Sequence, residues 1–294
     1  MTRDADPALL ECVVNVSEGR DEGVLASLAA SCGDVLLHLH RDHWHHRSVL
    51  TLGGPAPAVE AAARALTVSA VGRIDLGPHR GAHPRLGVVD VVPFVPLPAP
   101  AAGTPADLRL AVQARDAFAE WAGRELALPC FLYGPLPGRA ARSLPEVRRR
   151  AFVTLPPDSG PGEPHPTAGA TAVGARGLLV AYNLWVAGVD LATAREVARA
   201  IRGGRVRALG LALGDAVQVS CNLVDPLAFG PSEAFDEVAA RLHSLGGEIE
   251  RAELVGLIPD AVLAGTPRSR WGELDIGPTV TVEARLGDRS LRTR

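Results

Sequence analysis

Residues 79–96, HRGAHPRLGVVDVVPFVP, join a short polar bend to an almost uninterrupted apolar run. An apolar run of this kind, bounded by turn residues, is typical of a strand that is buried on both faces in an α/β protein. Pro93 and Pro96 interrupt the run, and because proline donates no backbone hydrogen bond we place this strand at the edge of its sheet or near its end. The bend contributes two histidines and two arginines, so the start of this strand is a candidate for chemistry.

On both sides of this strand, short apolar runs alternate with segments of helical periodicity. Residues 155–169, rich in proline and glycine, form either a linker or a substrate-binding loop, and the alternation resumes after them. The pattern predicts α/β layers in two halves. The predicted strands are 9–16, 34–40, 47–54, 86–97, 129–134, 177–186, 206–213, 216–225, 252–258 and 278–286. The predicted helices are 22–33, 55–70, 104–126, 191–201 and 235–245, the third with Thr104 as its N-cap.

The composition argues against several classes of protein. With 30 Lys+Arg against 33 Asp+Glu the formal net charge is -3, which gives the whole molecule no attraction to nucleic acid or to an anionic membrane. The four cysteines form no CxxC pair, which indicates reduced and mostly buried thiols. No apolar run reaches membrane-spanning length, and the first residues do not resemble a secretion signal. We therefore expect a cytoplasmic protein without nucleic-acid or membrane partners.

Five of the nine histidines lie within residues 38–48, HLHRDHWHHRS. His38 and His40 alternate on one predicted strand, so both side chains should point to the same face. The cluster is open to three interpretations. It could hold a metal, although no carboxylate or cysteine follows at a recognised ligand spacing. It could be a set of polar residues at strand ends around a hairpin. It could also line the pocket of an acidic substrate, with Arg47 as its strongest anion-binding side chain.

Two further stretches carry groups suited to catalysis or binding. In residues 75–96, a histidine at the mouth of a rigid strand can serve as general acid or base near neutral pH, and the arginines could hold carboxylates. A structural histidine beside proline is the alternative. In residues 165–183, small residues allow the backbone to approach a flat ligand, with polar contacts from Arg176 and Asn183. A glycine-rich turn between domains is the alternative there.

Taken together, the motifs of this chain resemble the formiminotransferase domain family, whose activity is the glutamate formimidoyltransferase reaction of histidine breakdown. The resemblance covers nearly the whole chain. The length of the chain suits the transferase domain alone, without the cyclodeaminase domain that is fused to the transferase in animals. The matching blocks, in family order, are ECVVNVSEGR at 11–20, HHRSVLTLGG at 45–54, HRGAHPRLGVVDVVPFVP at 79–96, LPCFLYG at 128–134, GATAVGARGLLVAYN at 169–183, QVSCNLVD at 218–225 and AELVGLIP at 252–259.

The resemblance implies two α/β subdomains, at residues 1–178 and 179–294, with mixed sheets facing each other and helices outside. A charged tunnel between the subdomains would bind tetrahydrofolate as co-substrate, together with a formimidoyl amino acid. The family also implies a homodimer, and it implies no metal.

The resemblance places the catalytic histidine of the family at His83. This histidine would accept the N5 proton of the folate during attack on the formimidoyl carbon, and it would then protonate the departing amine of glutamate. Arg47 would face the substrate, and the loop from Gly169 to Arg176 would hold the pterin. The residues expected to bind substrate or folate are His40, His46, Arg47, Arg80, Gly169, Ala170, Thr171, Gly174, Arg176 and Asn183.

The chain departs from the family pattern beside these residues. Ala82 occupies a position where the family usually has Glu, and His40 stands where relatives have an acid. Asn is common where His46 stands. We expect these exchanges to alter the donor or acceptor, because the lost acids could orient the catalytic histidine or pair with a cationic formimidoyl group. A folate-binding homologue that has lost catalysis is the main alternative, and a His-rich metal-binding module is a third. The family gives no role for His43 or His45.

Overall fold

The computed structural model describes residues 8–81, 84–97 and 108–290, with the backbone alone at 289–290. Three residues with an expected role lie outside the described residues, namely Ala82, His83 and Thr104. The chain divides into two compact units, Met1–Gly177 and Leu178–Arg294. Each unit has its own sheet and its own hydrophobic core, as expected of an α/β subdomain.

The first unit is built on a seven-stranded mixed sheet with the strand order β2-β3-β1-β4-β7-β5-β6. β1 is antiparallel to β3 and β4, whereas β7 is parallel to both β4 and β5. The strands are β1 (Leu9–Val16), β2 (Leu36–Asp42), β3 (Arg47–Pro55), β4 (Val89–Pro96), β5 (Cys130–Leu136), β6 (Arg139–Arg142) and β7 (Thr171–Ala175). The helices are α1 (Glu22–Ser31), α2 (Ala56–Val71), α3 (Leu108–Glu125) and α4 (Leu144–Arg150).

The helices α1, α2 and α3 cover one face of this sheet. Their apolar side chains form a single core with every second residue of β1, including Cys12 and Val14. Because side chains alternate along a strand, the ladder registers place a different set on the opposite face, here called the second face. The side chain of Val147 in α4 packs on part of it. The second face carries Glu11, His38, His40, Arg47, Thr51, Val91 and Tyr133.

The second unit has a four-stranded sheet with the order β11-β8-β10-β9, antiparallel throughout. α5 and α6 pack on one face of it and share a core with alternate residues of the strands, including Tyr182, Leu184 and Val219. The elements are β8 (Val180–Ala187), α5 (Leu191–Ala200), β9 (Val206–Leu213), β10 (Ala216–Leu223), α6 (Pro231–Ser244), β11 (Glu248–Val255), α7 (Asp260–Ala264) and α8 (Val282–Ser290). The predicted α/β class is therefore confirmed in both units.

The edge position predicted for the proline-containing strand is wrong. β4 lies inside the sheet between β1 and β7, although Pro96 does end the strand. The sheet accommodates Pro93 because β1 makes ladder pairs with Val91 and Phe94 but none with Pro93, whose missing N–H therefore leaves no gap on that side. On the other side Pro93 is paired with Gly174 of the parallel strand β7.

The late strand predicted at 278–286 is also wrong, because this segment forms a 3₁₀ turn (Pro278–Val280) followed by α8. The β-branched run around Thr281 favours a strand locally. In the structure the Thr281 hydroxyl instead accepts a hydrogen bond from the backbone N–H of Ala284 at 3.1 Å, as a helix N-cap does. Elements that the pattern analysis missed are β6, α4, β7 and α7.

Candidate functional site

Three segments of the first unit meet where β1 ends. They are the connection between β1 and α1, the turn between β2 and β3, and the loop between α2 and β4. The approach is close at Gly81, where an added Cβ would lie 2.3 Å from the carbonyl oxygen of His45, so only glycine fits. The side chains that meet here form what we call the histidine–arginine cluster: Glu18, His46, His79, Arg80 and Arg85.

Glu18 links the connection to the turn. Its Oε1 accepts the backbone N–H groups of Gly19, Arg20 and Asp21 at 2.7–2.9 Å, and it also lies 3.1 Å from Nε2 of His46. Burial alone raises the pKa of Glu18, but the backbone donors and His46 outweigh it, so the pKa lies below its ordinary value. Glu18 is therefore an ionised acceptor at neutral pH.

His46 occupies a left-handed backbone conformation, with φ of 48°. Asn, Asp and His are the side chains most enriched there after glycine, which explains why Asn or His suits this position. The Nδ1 of His46 lies 3.0 Å from the carbonyl oxygen of Arg80. The imidazole thus spans from the β1–α1 connection to the loop before β4.

The ring of His79 stacks on that of His46, with the centroids 3.9 Å apart and the planes 11° from parallel. Its Nδ1 accepts a hydrogen bond from the Arg85 guanidinium, which also donates to the carbonyl oxygen of His45 at 3.1 Å. Burial, and then the charges of His46 and Arg85, lower the pKa of His79 to about 4. His79 is therefore neutral at physiological pH. Arg80, by contrast, is exposed, and its Nη1 donates to the carbonyl oxygens of Gly77 and His79.

Asp90 neutralises one of several arginines beside this cluster. The β1 register pairs Asn15 with Val91 and Val16 with Val89, so Asp90 is the extra residue of a bulge. Its carboxylate is 1 % exposed and makes a bidentate pair with Arg148 of α4, at 2.6 and 3.1 Å. It also accepts the backbone N–H of Leu86 at 2.7 Å.

Arg47 begins β3 and is half-buried on the second face. Burial lowers the pKa of Arg47. The negative charges of Asp90 and Asp42 raise it, whereas the positive charges of Arg148 and Arg85 lower it further. Over the described part of the chain its guanidinium makes no hydrogen bond and no ion pair. Arg47, Arg85 and Arg148 thus outnumber the two carboxylates that act on Arg47, and Asp90 already pairs with Arg148, which leaves a local excess of positive charge suited to an anion.

His40 and His38 lie on β2 with ring centroids 6.5 Å apart, both on the second face. His45 is buried, its Nε2 lies 3.6 Å from the Asp42 carboxylate, and its backbone N–H donates to that carboxylate. His43 and the exposed Trp44 form the tip of the turn. Among residues 8–81, 84–97 and 108–290, no group of three or more His, Cys, Asp or Glu is arranged to hold a metal ion.

The predicted pterin loop from Gly169 to Arg176 is wrong as a loop, because residues Thr171–Ala175 form the inner strand β7. β7 is buried, and its small residues allow neighbouring side chains to pack closely against it. The ring of Tyr133 occupies the space where a Cβ of Gly174 would be. Thr171 shares the helix-covered face with Val173, and Ala170 packs with the core of the second face. Gly169 precedes the strand with φ of 71°.

Arg176 follows β7 beside Tyr133. Burial raises the pKa of Tyr133 to about 12, while the adjacent Arg176 opposes the rise. The Nη1 of Arg176 also donates to the carbonyl oxygen of Gly177 at 2.9 Å. Arg176 therefore carries its charge at the end of the strand that pairs with β4.

Asn183 belongs to the second unit, on β8. Its amide donates to Glu253 at 3.2 Å, and the same carboxylate oxygen accepts Nε1 of Trp185 at 3.0 Å. The Arg251 guanidinium lies 4.1 Å from the centroid of the Trp185 ring. Asn183 thus has a defined orientation in a polar group on the sheet face opposite α5 and α6. The other predicted binding residues are all in the first unit.

Comparisons with known proteins agree with this architecture. The family description "Formiminotransferase domain, N-terminal subdomain" matches residues 9–176. The chain belongs to the formiminotransferase family. It is 34% identical over 276 residues to the glutamate formimidoyltransferase of Streptococcus pyogenes serotype M1, covering 87% of this chain and 90% of that protein. The glutamate formimidoyltransferase of Thermoplasma acidophilum is 33% identical over 279 residues, with the same coverage of both chains.

A longer relative of the formiminotransferase family matches as well. The formimidoyltransferase-cyclodeaminase of Sus scrofa is 34% identical over 283 residues, which cover 85% of this chain and 50% of that protein. The enzyme class expected from the sequence, a transferase similar to glutamate formimidoyltransferase, is confirmed by these relatives.

The sequence pattern did not predict several residues of the histidine–arginine cluster and its surroundings. Glu18 and His79 lie within quoted motifs, but nothing in their spacing indicates that one would bind and the other stack on His46. Asp90 offered a signal, since it is the single charge in an apolar run. Arg148 lies in a run of three arginines that gives no sign of a partner, yet it pairs with the buried carboxylate of Asp90. Tyr133 offered no signal beyond its place in a predicted strand.

No helix in the described ranges is both long enough and apolar enough to cross a membrane. All four cysteines are free and buried, as the sequence predicts.

Proposed function

We propose that this chain transfers a formimidoyl group between N-formimidoyl-L-glutamate, or a related amino compound, and tetrahydrofolate. The observation that carries the proposal is the desolvated guanidinium of Arg47, which has no ion-pair partner in the described residues. A cation held in this way binds a carboxylate strongly, because part of its desolvation cost is already met before the ligand arrives. Both proposed substrates carry carboxylates.

The neighbouring charges favour the same class of ligand. Asp90 is the strongest negative charge acting on Arg47 and Arg85, but its carboxylate already pairs with Arg148, so the same carboxylate is divided among three arginines. The field at this end of the sheet is therefore positive although the whole chain has a formal net charge of -3. We propose that the α-carboxylate of the amino compound or a glutamyl carboxylate of the folate binds here.

The proposed general acid–base is His83. Its role rests on the resemblance of the GAHPR sequence at 81–85 to the catalytic motif of the family. Folate supplies the nitrogen that takes up the one-carbon group. His83 would accept the proton from that nitrogen and deliver it to the amino group of the departing glutamate, so that one proton is taken up and one is released. A positioned group of this kind contributes about 10²–10⁴-fold.

Binding roles are proposed for the other residues of the resemblance, on the positions described above. His40 and Arg47 lie on the second face, and Arg80 and His46 lie in the histidine–arginine cluster. For the sequence around β7 we propose that the charge of Arg176 attracts the folate and that the small residues allow the pterin ring to approach the backbone closely. The small residues are Gly169, Ala170, Thr171 and Gly174. Asn183 is proposed as a contact to the ligand from the second unit.

The test is a direct assay. The protein is mixed with tetrahydrofolate and N-formimidoyl-L-glutamate, and 5-formimidoyl-tetrahydrofolate is followed by absorbance. We expect turnover in the wild type, loss of turnover in His83→Ala, and folate binding retained in that variant by calorimetry. His243→Asn is the matched control, because His243 is exposed on α6 in the second unit. Absence of product from N-formimidoyl-L-glutamate and from every other formimidoyl or formyl donor would refute the proposal.

A second candidate function is folate binding without catalysis. Ala82 favours it, since the family usually has Glu immediately before the catalytic histidine. Folate binding at one site per chain, with no turnover on any donor in the screen, would establish this candidate. Stoichiometric zinc by elemental analysis, lost on chelation together with the fold, would instead identify a metal-binding module.

We also propose that the chain acts as a cytoplasmic homodimer with small-molecule substrates, no resident metal, and neither nucleic acid nor membrane as partner. The likeness to the formimidoyltransferases supports the choice of substrates, and the near-balanced charge supports the absence of nucleic acid. Light scattering after size exclusion measures the oligomeric state, and a monomer at micromolar concentration would contradict the dimer.

A further inference from the structure

We propose that His46 and His79 are positioning residues: the stacked pair holds a single proton, on His46, and this proton ties the loop between α2 and β4 to the β2–β3 turn. The proposal is based on the hydrogen-bond partners of the two imidazole rings. The proposed function gives His46 a binding role and gives His79 none, and the inference rests on that function only where turnover is measured.

The partners of His46 require both ring nitrogens to carry hydrogen. Nε2 lies 3.1 Å from a carboxylate oxygen of Glu18, and Nδ1 lies 3.0 Å from the carbonyl oxygen of Arg80. Both are pure acceptors, because a carbonyl has no hydrogen to give and Glu18 is held in its ionised form by its backbone donors. A neutral imidazole could satisfy only one of them. The doubly protonated ring satisfies both and pairs its charge with Glu18.

The partners of His79 require the opposite state. Arg85 donates to its Nδ1, and a guanidinium is a donor only, so Nδ1 must present a lone pair. The Nη1 of Arg85 that donates to Nδ1 lies 3.4 Å from Nε2, which is too long to compete with its contact at Nδ1, so the proton of the neutral ring sits on Nε2. The backbone of Ser17 is a further hydrogen-bond partner of this ring. A neutral ring stacked on an imidazolium is attractive, whereas two imidazoliums face to face would repel.

The charged groups around the pair support one proton and not two. Glu18 faces His46 from the β1–α1 connection. Arg85 faces His79 from the loop, and Arg20, which interacts electrostatically with Arg85, adds a second cation from the α1 side. The Asp42–His45 pair on the β2–β3 turn is already matched. Asp90 and Arg148, which also act on Arg85, are paired with each other. Among the described residues Glu18 is thus the carboxylate that faces the pair, so a second proton would be placed among cations.

The pair joins three segments through this proton. Glu18 belongs to the connection after β1, His46 to the turn, and His79 and Arg80 to the loop. The loop residues described on either side, Gly81 and Arg85, contact the same turn. Loss of the proton from His46 would break one of its two bonds and leave the loop held at fewer points.

The first measurement uses the wild-type protein and needs no turnover. Ring ¹⁵N shifts at about pH 7 report the protonation of each histidine. We expect His46 protonated on both nitrogens and His79 as the neutral Nε2–H form. A neutral His46, or a His79 that is charged at this pH, overturns the proposal. His243→Asn, His46→Asn and His79→Asn give the assignments, with His243→Asn as the exposed control.

The second measurement separates a positioning role from a structural one. His46→Asn keeps a side chain suited to φ of 48° but removes the charge and the stack. We expect kcat at about pH 7 to fall about 10-fold, because misplacing a reacting group costs up to about 10²-fold. A rise in KM with kcat unchanged would indicate only the binding role proposed above and would overturn the positioning role. His79→Phe retains the stack, but it removes the acceptor for Arg85, and should lose activity similarly. His79→Asn, whose Oδ1 can replace Nδ1, should recover part of it.

The outcomes distinguish this proposal from the function on which it draws. Wild-type protein without turnover but with a doubly protonated His46 contradicts the proposed function and supports the pair. Turnover that is unchanged in His46→Asn across the pH range overturns the positioning role, even where the ring shifts are as expected. If His46→Asn does not fold by circular dichroism, the wild-type ¹⁵N spectrum alone supports or overturns the proton assignment.

Discussion

Arg47 and Arg148 are the same residue type in one charged region, yet their surroundings give them different roles. Arg148 has a bidentate partner in the buried carboxylate of Asp90, so its charge is internal to the fold. Arg47 has no such partner in the described residues, and burial lowers its pKa. A paired arginine contributes to stability, whereas an unpaired desolvated one is available to a ligand.

For Arg47 we therefore predict an effect on binding that exceeds its effect on stability. Arg47→Gln should raise KM for N-formimidoyl-L-glutamate about 10–100-fold, since a hydrogen bond to a charged group contributes roughly 1.5–3 kcal/mol. Arg47→Lys should be intermediate because it keeps the charge and loses the planar fork. Steady-state kinetics measure this, with the exposed Arg149→Gln as control. A KM equal to that of the wild type in Arg47→Gln would argue against a substrate contact.

His79 predicts a dependence of stability on pH. Its folded pKa, about 4, lies below the ordinary value of 6.5, so the unfolded chain binds its proton first as the pH falls. The contribution of His79 to stability is complete above about 6.5 and is lost as the pH falls toward about 4. Urea unfolding across this window should show a shallower loss of the free energy of unfolding for His79→Asn than for the wild type. Parallel curves would contradict the depressed pKa.

At the scale of elements, the bulge in β4 explains how a charge enters a buried strand. The extra residue turns the Asp90 side chain out of the β1 ladder and toward Leu86 and Arg148. α4 supplies that arginine from the second face, where Val147 packs against the side chains of β4 and β5. One ion pair, between the partly exposed Arg148 and the buried Asp90, therefore joins a short helix to the middle of the sheet.

Removing one partner of the Asp90–Arg148 pair should lower the free energy of unfolding more than substituting both partners together. Asp90→Asn leaves Arg148 without its counter-charge, and we expect the free energy of unfolding to fall by about 3 kcal/mol. The double variant Asp90→Asn with Arg148→Met should recover part of the loss, because the unpaired charge is gone. Chemical denaturation of the four-member cycle measures the coupling. A single variant as stable as the wild type would show that the pair contributes nothing.

At the scale of the whole molecule, charge is distributed unevenly. The formal net charge is -3, yet the end of the larger sheet gathers Arg47, Arg85 and Arg148 around Asp90, with Asp42 as a second carboxylate that acts on Arg47. We therefore expect the proposed anionic substrates to be attracted by a local field and not by the protein as a whole. A local field acts over about a Debye length, roughly 8 Å at physiological ionic strength.

This distribution predicts a salt effect on binding alone. Raising NaCl from about 50 mM to about 500 mM should increase KM for the formimidoyl amino acid several-fold, because screening weakens the attraction, while kcat stays nearly constant. The same salt series with Arg47→Gln should give a smaller change. A wild-type KM that does not respond to salt would contradict an electrostatic contribution to binding.

The local sequence pattern was enough to predict many of the strands and helices of this protein. The strand Leu9–Val16, the β2–β3 hairpin, and the helices α2 and α6 follow from hydrophobic periodicity and turn residues, which act between near neighbours in the chain. The family motifs likewise named Arg47 and the loop before β4 as candidate site elements, and their roles stay predictions. Periodicity failed where a tertiary contact outweighed it, as at Thr281, whose hydroxyl caps a helix in a segment of strand-forming residues.

The arrangement of the site needed the folded sheet. Asp90 and Arg148 are 58 residues apart, and His46 and Arg80 are 34 apart, so no local rule pairs them. They meet because β1 lies between β3 and β4, an order that depends on how the helices and strands bury their apolar faces together. The residue types were readable along the chain, but their protonation states and partners arise from burial and long-range contact, which only the assembled structure supplies.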